Sequence, residues 1–126
     1  MKPGSPLRVL VVDDSAFMRS RILRDLSNAG LEVIGEARNG LEAAELYGVL
    51  RPDLVTMDLT MREHDGIEGA RTILAIDPKA KIVLFSVIDD ETMVGEALRC
   101  GVRAYVHKGQ PSELVKRLLE LGEMES

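Results

Sequence analysis

The stretch Leu7-Arg8-Val9-Leu10-Val11-Val12-Asp13-Asp14-Ser15 decides the fold. Val9 to Val12 are apolar without a break and mostly β-branched, the pattern of a strand buried on both faces. The run ends abruptly at two carboxylates. A helix period follows from about Ser15 to Asn28, with Met18, Ile22 and Leu26 on one face, Ser15 as its cap and Gly30 just past its end.

The same unit recurs down the chain. Strands are expected at Glu32 to Ala37, Leu54 to Met57, Lys81 to Phe85 and Val102 to Val106. Asn39-Gly40 reads as a turn before a helix from about Leu41 to Leu50, with Ala43, Leu46, Tyr47 and Leu50 on its inner face. Further helices are expected from about Gly66 to Ile76, Asp89 to Cys100 and Ser112 to Leu121. Arg51-Pro52-Asp53, Asp77-Pro78 and Gly101 interrupt them. Five strands alternating with five helices make an α/β chain, which demands an open parallel sheet wound on both faces. Five units cannot close an eight-stranded barrel. We expect one domain over residues 7–122, with flexible ends at 1–6 and 123–126.

Composition narrows the function. The chain has 126 residues, 45% hydrophobic and 29% charged, as an ordinary globular domain does. Its net charge of −5 argues against a nucleic-acid partner. Cys100 is the sole cysteine, so no intramolecular disulfide can form. No apolar run approaches the roughly 20 residues that span a bilayer, and the N-terminus lacks the apolar core of a signal peptide. The expected location is cytoplasmic, without membrane insertion.

Ligands of such sheets bind beyond the carboxyl ends of the strands. There the sequence sets Asp13 and Asp14 after strand one, Asp58 after strand three, Ser86 after strand four and Lys108 after strand five. Three clustered carboxylates repel one another, and a hard cation such as Mg²⁺ relieves this. A lysine and a hydroxyl facing it suit the oxygens of a phosphoryl group. The set fits transfer of that group to a carboxylate. Each residue also has a plain structural reading. Acids favour the first turn of a helix, Ser and Lys are common in loops, and Tyr105 can be a half-buried core aromatic. Arg19, Arg21 and Arg24 read as a solvated face of the first helix, and Tyr47 and the Leu stripe of the last helix as packing. His64 and His107 lack ligand spacing.

The blocks Val9-Leu10-Val11-Val12-Asp13-Asp14-Ser15, Pro52-Asp53-Leu54-Val55-Thr56-Met57-Asp58 and Asp65-Gly66-Ile67-Glu68, with Ser86 and Lys108, resemble the receiver domains of two-component response regulators. The resemblance covers about Leu7 to Leu121. It implies a flavodoxin-like sheet in the order 2-1-3-4-5 and a stand-alone response regulator of a phosphorelay, with chemotaxis as one setting. It implies that Asp58 accepts a phosphoryl group from a histidine kinase. Asp14 and Asp58 would ligate Mg²⁺ directly, Asp13 through water and Thr60 by its backbone carbonyl. Lys108 would pair with the phosphoryl group and Ser86 would move toward it. Tyr105 would change rotamer as a switch, signalling to a target protein on the surface of helix 4, strand 5 and helix 5. Such a protein is a phosphoacceptor and not an enzyme.

The chain departs from the family at Arg62 and Gly109, where receivers usually carry proline. A looser loop after strand three and a trans bond after Lys108 are expected. Val87 stands where a smaller residue is usual and should narrow access to the phosphoryl site. Thr60 and Ile88 offer no carboxylate or amide to orient a water, so slow self-dephosphorylation is expected. Other readings are an interaction module without phosphotransfer and a fragment of a longer regulator. A flavin protein would need a phosphate-cradling loop in place of Asp13-Asp14. An aspartyl phosphohydrolase normally carries its nucleophile after strand one.

Overall fold

A computed structural model describes residues 5–59, 61, 66–88 and 90–124. The elements run β1 (Arg8–Val12), α1 (Ala16–Asn28), β2 (Glu32–Ala37), α2 (Gly40–Leu50), β3 (Leu54–Met57), α3 (Gly66–Ile76), β4 (Ile82–Ser86), α4 (Glu91–Cys100), β5 (Ala104–His107) and α5 (Pro111–Glu123). The strands pair in parallel in the order β2-β1-β3-β4-β5, as the resemblance implied.

Double-sided burial of the strands sets two cores. Leu10, Val12, Val55, Met57 and Leu84 point to one face, where they meet Ala43 and Tyr47 of α2 and Ile73 of α3. Val9, Val11, Leu54, Val83 and Phe85 point to the other, against Ile22 and Leu26 of α1 and Leu114 and Leu118 of α5. Neighbouring residues of one strand thus serve opposite cores, and a one-residue slip would exchange them. Tyr47 and the Leu stripe of α5 are core, as their spacing suggested.

Some boundaries differ from expectation for local reasons. Asn39 is not in a turn before α2; it caps that helix, accepting the Glu42 N–H at 2.8 Å, so α2 begins at Gly40. Asp90 caps α4 by accepting from Thr92 and Met93, which moves its start to Glu91. β4 runs one residue further than its apolar run and takes in Ser86. β5 begins later, at Ala104, because Val102 closes the α4 turn by donating to Ala97 O. Pro111 opens α5 at its first position, where a missing N–H costs nothing. Gly101 ends α4 at φ 117°, a conformation that disfavours any side chain.

Candidate functional site

The sheet places the site by carrying its hydrogen bonds past the strands. Asp13 N–H donates to Ala37 O at 3.0 Å, Asp58 N–H to Val12 O at 3.0 Å, and Lys108 N–H to Ser86 O at 2.9 Å. Three charged residues, each just after a strand, are therefore held by backbone bonds at one sheet edge. Pairing of Val12 with Met57 sets Asp13 beside Asp58, and pairing of Ser86 with His107 leaves Lys108 next in line.

Their side chains converge. Lys108 Nζ donates to Asp13 Oδ2 at 2.7 Å and to Asp58 Oδ2 at 3.4 Å. A carboxylate oxygen from each of Asp13, Asp14 and Asp58 falls within 4.8 Å of the others. Asp13 is 1% exposed, Asp58 6% and Ser86 0%, whereas Asp14 faces solvent. Asp13 accepts at both oxygens, from Lys108 at Oδ2 and from the Ser15 N–H at Oδ1 at 2.9 Å. Ser15 also caps α1 through its hydroxyl, so one residue ends the loop and pins the buried acid.

Burial pushes the Asp58 carboxyl above its ordinary value; the Lys108 charge opposes the shift and the Asp13 charge adds to it. Burial alone would lower the Lys108 ammonium. Its hydrogen bond to Asp13 and the charges of Asp58 and Asp13 outweigh that, and the net shift is upward. One cation thus faces three carboxylates, leaving the pocket anionic. The donors are all hard oxygens, the set that Mg²⁺ or a similar divalent ion prefers.

Gly66 closes the site from α3. A Cβ there would meet Asp58 O at 2.0 Å and Leu59 Cα at 2.8 Å. Its N–H donates to Leu59 O at 2.7 Å. No other residue fits where α3 approaches the Asp58 backbone so closely.

Tyr105 is half-buried against the core on the α3 and α4 side, and its hydroxyl donates to the backbone carbonyls of Ile88 and Ser86. It therefore ties β5 to the loop after β4. Val87 is 63% exposed, and it lines, with Met18, Arg21 and Lys108, a cavity of about 360 Å³ between α1 and the loop before α5. Among the described residues every peptide bond is trans, including Lys108–Gly109, as the missing proline suggested. Thr60 and Arg62 lie outside the described residues, as do His64 and Asp65.

Arg19 corrects the reading of α1 as solvated. Its side chain is 14% exposed, grips Glu36 at 3.2 Å, and donates to the carbonyl of Asp13 at 2.6 Å. The signal was its place on the first turn of α1, facing the loop that carries the acids.

Comparison with known proteins agrees with this geometry. Residues 9–119 match the response regulator receiver domain, and the chain belongs to that family. It is 48% identical to the chemotaxis protein CheY of Thermotoga maritima over 112 residues, 88% of this chain and 93% of that one. With the CheY of Listeria monocytogenes it shares 40% over 114 residues, 90% and 96% of the two chains. Among solved structures it resembles the response regulator domain of Thermotoga maritima CheB (TM-score 0.85, 32% identity, 96% of this chain and 99% of that). It also resembles a chain from the CheX–CheY–BeF₃–Mg²⁺ complex of Borrelia burgdorferi (TM-score 0.88, 29% identity, 94% and 90%).

Proposed function

We propose that the chain is a CheY-like phosphoacceptor switch, taking a phosphoryl group on Asp58 from a histidine kinase and signalling by binding another protein. The observation that carries this is Lys108 Nζ set between the Asp13 and Asp58 carboxylates, 2.7 and 3.4 Å away. The lysine and the two acids meet at the sheet edge where ligands of this fold bind.

The chemistry follows from the atoms present. An Asp58 carboxylate oxygen attacks the phosphorus of a phosphohistidine in line. The O–P bond forms as the N–P bond breaks, and the imidazole leaves with the electron pair. Asp58 has to be ionised to attack; Lys108 opposes the upward shift that burial imposes on it. After transfer, Lys108 and the Ser86 hydroxyl are the groups that meet the new phosphoryl oxygens. Asp14 and Asp58 would hold Mg²⁺ directly; Asp13, which already accepts at both oxygens, suits a contact through water. The ion's role there is to offset the charge that gathers on the transferring group.

Tyr105 links this site to the α4–β5–α5 face, where a target protein would dock. Phosphorylation shifts the population only by making different contacts in two states, and the Tyr105 hydroxyl, on the carbonyls of Ser86 at the end of β4 and Ile88 in the loop after it, is placed to report them. The protein then works as a signalling acceptor and not as an enzyme, in the cytoplasm. Among the described residues no helix is long and apolar enough to cross a membrane. Similarity to CheY proteins favours a chemotaxis pathway.

The test is incubation with Mg²⁺ and acetyl phosphate, read promptly by intact mass. One phosphoryl adduct, absent in Asp58→Asn and after chelation, is expected. No adduct on folded protein would overturn the reading in favour of an interaction module without phosphotransfer.

A further inference from the structure

Lys108 is followed by glycine where the family usually has proline, so something else must fix the loop that aims it. The backbone donors of this loop can be followed one by one. Lys108 N–H donates to Ser86 O at 2.9 Å, and Gln110 N–H to His107 O at 2.9 Å, which closes a turn with Lys108 and Gly109 at its centre. Pro111 has no N–H. The remaining donor, Gly109 N–H, meets His107 Nδ1 at 2.9 Å. A proline at 109 would have carried no hydrogen and a fixed φ; glycine brings a free N–H and the loosest backbone of any residue.

We propose that His107 is a positioning residue for phosphoryl transfer: its Nδ1 holds the Gly109 amide and so keeps Lys108 aimed at Asp13 and Asp58. The inference rests on the proposed function above. His107 is partly buried at the last position of β5, paired with Ser86, so the sheet fixes the backbone from which the ring projects. It lies close enough that a Cβ on residue 109 would meet Nδ1 at 3.1 Å. An imidazole nitrogen accepts only when it carries no proton, so the bond specifies a neutral ring with its hydrogen on Nε2. The contact spans two residues, the same span over which an Asn side chain accepts from its own backbone. His107 touches no reacting atom and acts through Lys108 alone.

Two substitutions separate the acceptor from the ring. His107→Phe keeps an aromatic ring and removes the acceptor. His107→Asn removes the ring and restores an acceptor at the same span. Phosphorylation by acetyl phosphate with Mg²⁺ would be followed by intact mass, with thermal unfolding as the check on folding. The rate should fall about three- to ten-fold in His107→Phe, the worth of one ordinary hydrogen bond, and stay within about two-fold in His107→Asn. Faster amide exchange at Gly109 should accompany the loss in His107→Phe. The opposite order, Phe normal and Asn slow, would show that the ring merely packs and would overturn the proposal. So would equal rates in all three proteins. Imidazole ¹⁵N shifts give a reading independent of phosphorylation: a proton on Nδ1 refutes the hydrogen bond outright. Should the unaltered protein take up no phosphoryl group, the proposed function falls and the positioning role with it, while the ring nitrogens still report whether the bond exists.

Discussion

Replacing the proposed acceptor carboxylate, as in Asp58→Asn, should make the fold more stable. Lys108 Nζ lies 3.4 Å from Asp58 Oδ2, an attraction of about 4.9 kcal/mol at an effective dielectric of 20. Asp13 sits within 4.8 Å, a repulsion of at least about 3.5 kcal/mol on the same scale. Asp14 is at a similar distance but faces solvent, which cuts its repulsion to about 1 kcal/mol. These charge terms nearly cancel. What remains is the loss of water around a group 6% exposed, the largest cause of its raised pKa. Asparagine still buries a polar amide, but it is spared the extra cost of burying a charge, on the order of 1–3 kcal/mol.

The pH dependence has a definite sign. Asp58 titrates higher in the folded protein than the 3.8 of a free carboxyl, so folding disfavours its ionised form. Its contribution to stability therefore falls as pH rises from 3.8 through the folded value. Asp58→Asn lacks this step, so its advantage is absent in acid and grows as pH rises from 3.8 through the folded value. Urea unfolding with chelator present measures it, as a higher midpoint at unchanged slope. An asparagine variant no more stable than the unaltered protein at pH 7 would refute the reasoning.

Other perturbations act on neighbouring links of the same argument. Lys108→Met leaves two buried acids without their cation; phosphorylation by acetyl phosphate should fall about 100-fold, and the Asp58 carboxyl should titrate higher still by NMR. Once freed of donor, phosphorylated protein should lose its group slowly, since Ile88 offers nothing to orient a water; rapid Mg²⁺-dependent loss, followed by mass, would contradict this. Far from the site, Tyr47 donates its hydroxyl to Asp77 Oδ2 at 2.7 Å, and this bond is the largest cause of Asp77's lowered pKa. Tyr47→Phe should cost about 1 kcal/mol in urea unfolding. The cost should be present above pH 3.8 and fade as pH falls through the lowered value, because protonating Asp77 takes the bond's advantage from the unaltered protein while the variant never had it.

Most of this architecture was written in local patterns. Val9 to Val12 alternate between two cores, and no polar residue interrupts them until Asp13, so strand and site boundary coincide in the sequence. The acids and Lys108 were legible because chemistry-bearing residues fell where apolar runs stopped. What stayed hidden depends on pairing. β2 slips by one residue against β1 between Val9 and Leu10, and Gly35 stands opposite Leu10 just after the slip. Nothing in a single strand reveals which partner it will bulge against. Arg19 looked like one of three solvated arginines until the fold brought Glu36 and the Asp13 carbonyl to it. Val87 was expected to narrow the phosphoryl site; it is 63% exposed and lines, with Lys108, the cavity beside α1, a place that a single strand does not reveal. The His107 ring could not be joined to Gly109 without the turn that brings them together.

The backbone bonds that continue the ladder beyond the strands have a further consequence. Asp13, Asp58 and Lys108 are anchored by the same hydrogen bonds that hold the sheet, so their amides should exchange only as slowly as the sheet opens. Under the proposed function, the orientational entropy of the site would thus be settled once, at folding, and not again with each phosphoryl group. Signalling cannot come from displacing those anchors, since that would unzip the core. It has to come from what surrounds them: the loops, and side chains such as Tyr105 that bridge loop and sheet. Under the proposed function, a rigid frame with a soft rim would let one small chemical group change what the surface displays while leaving the fold intact.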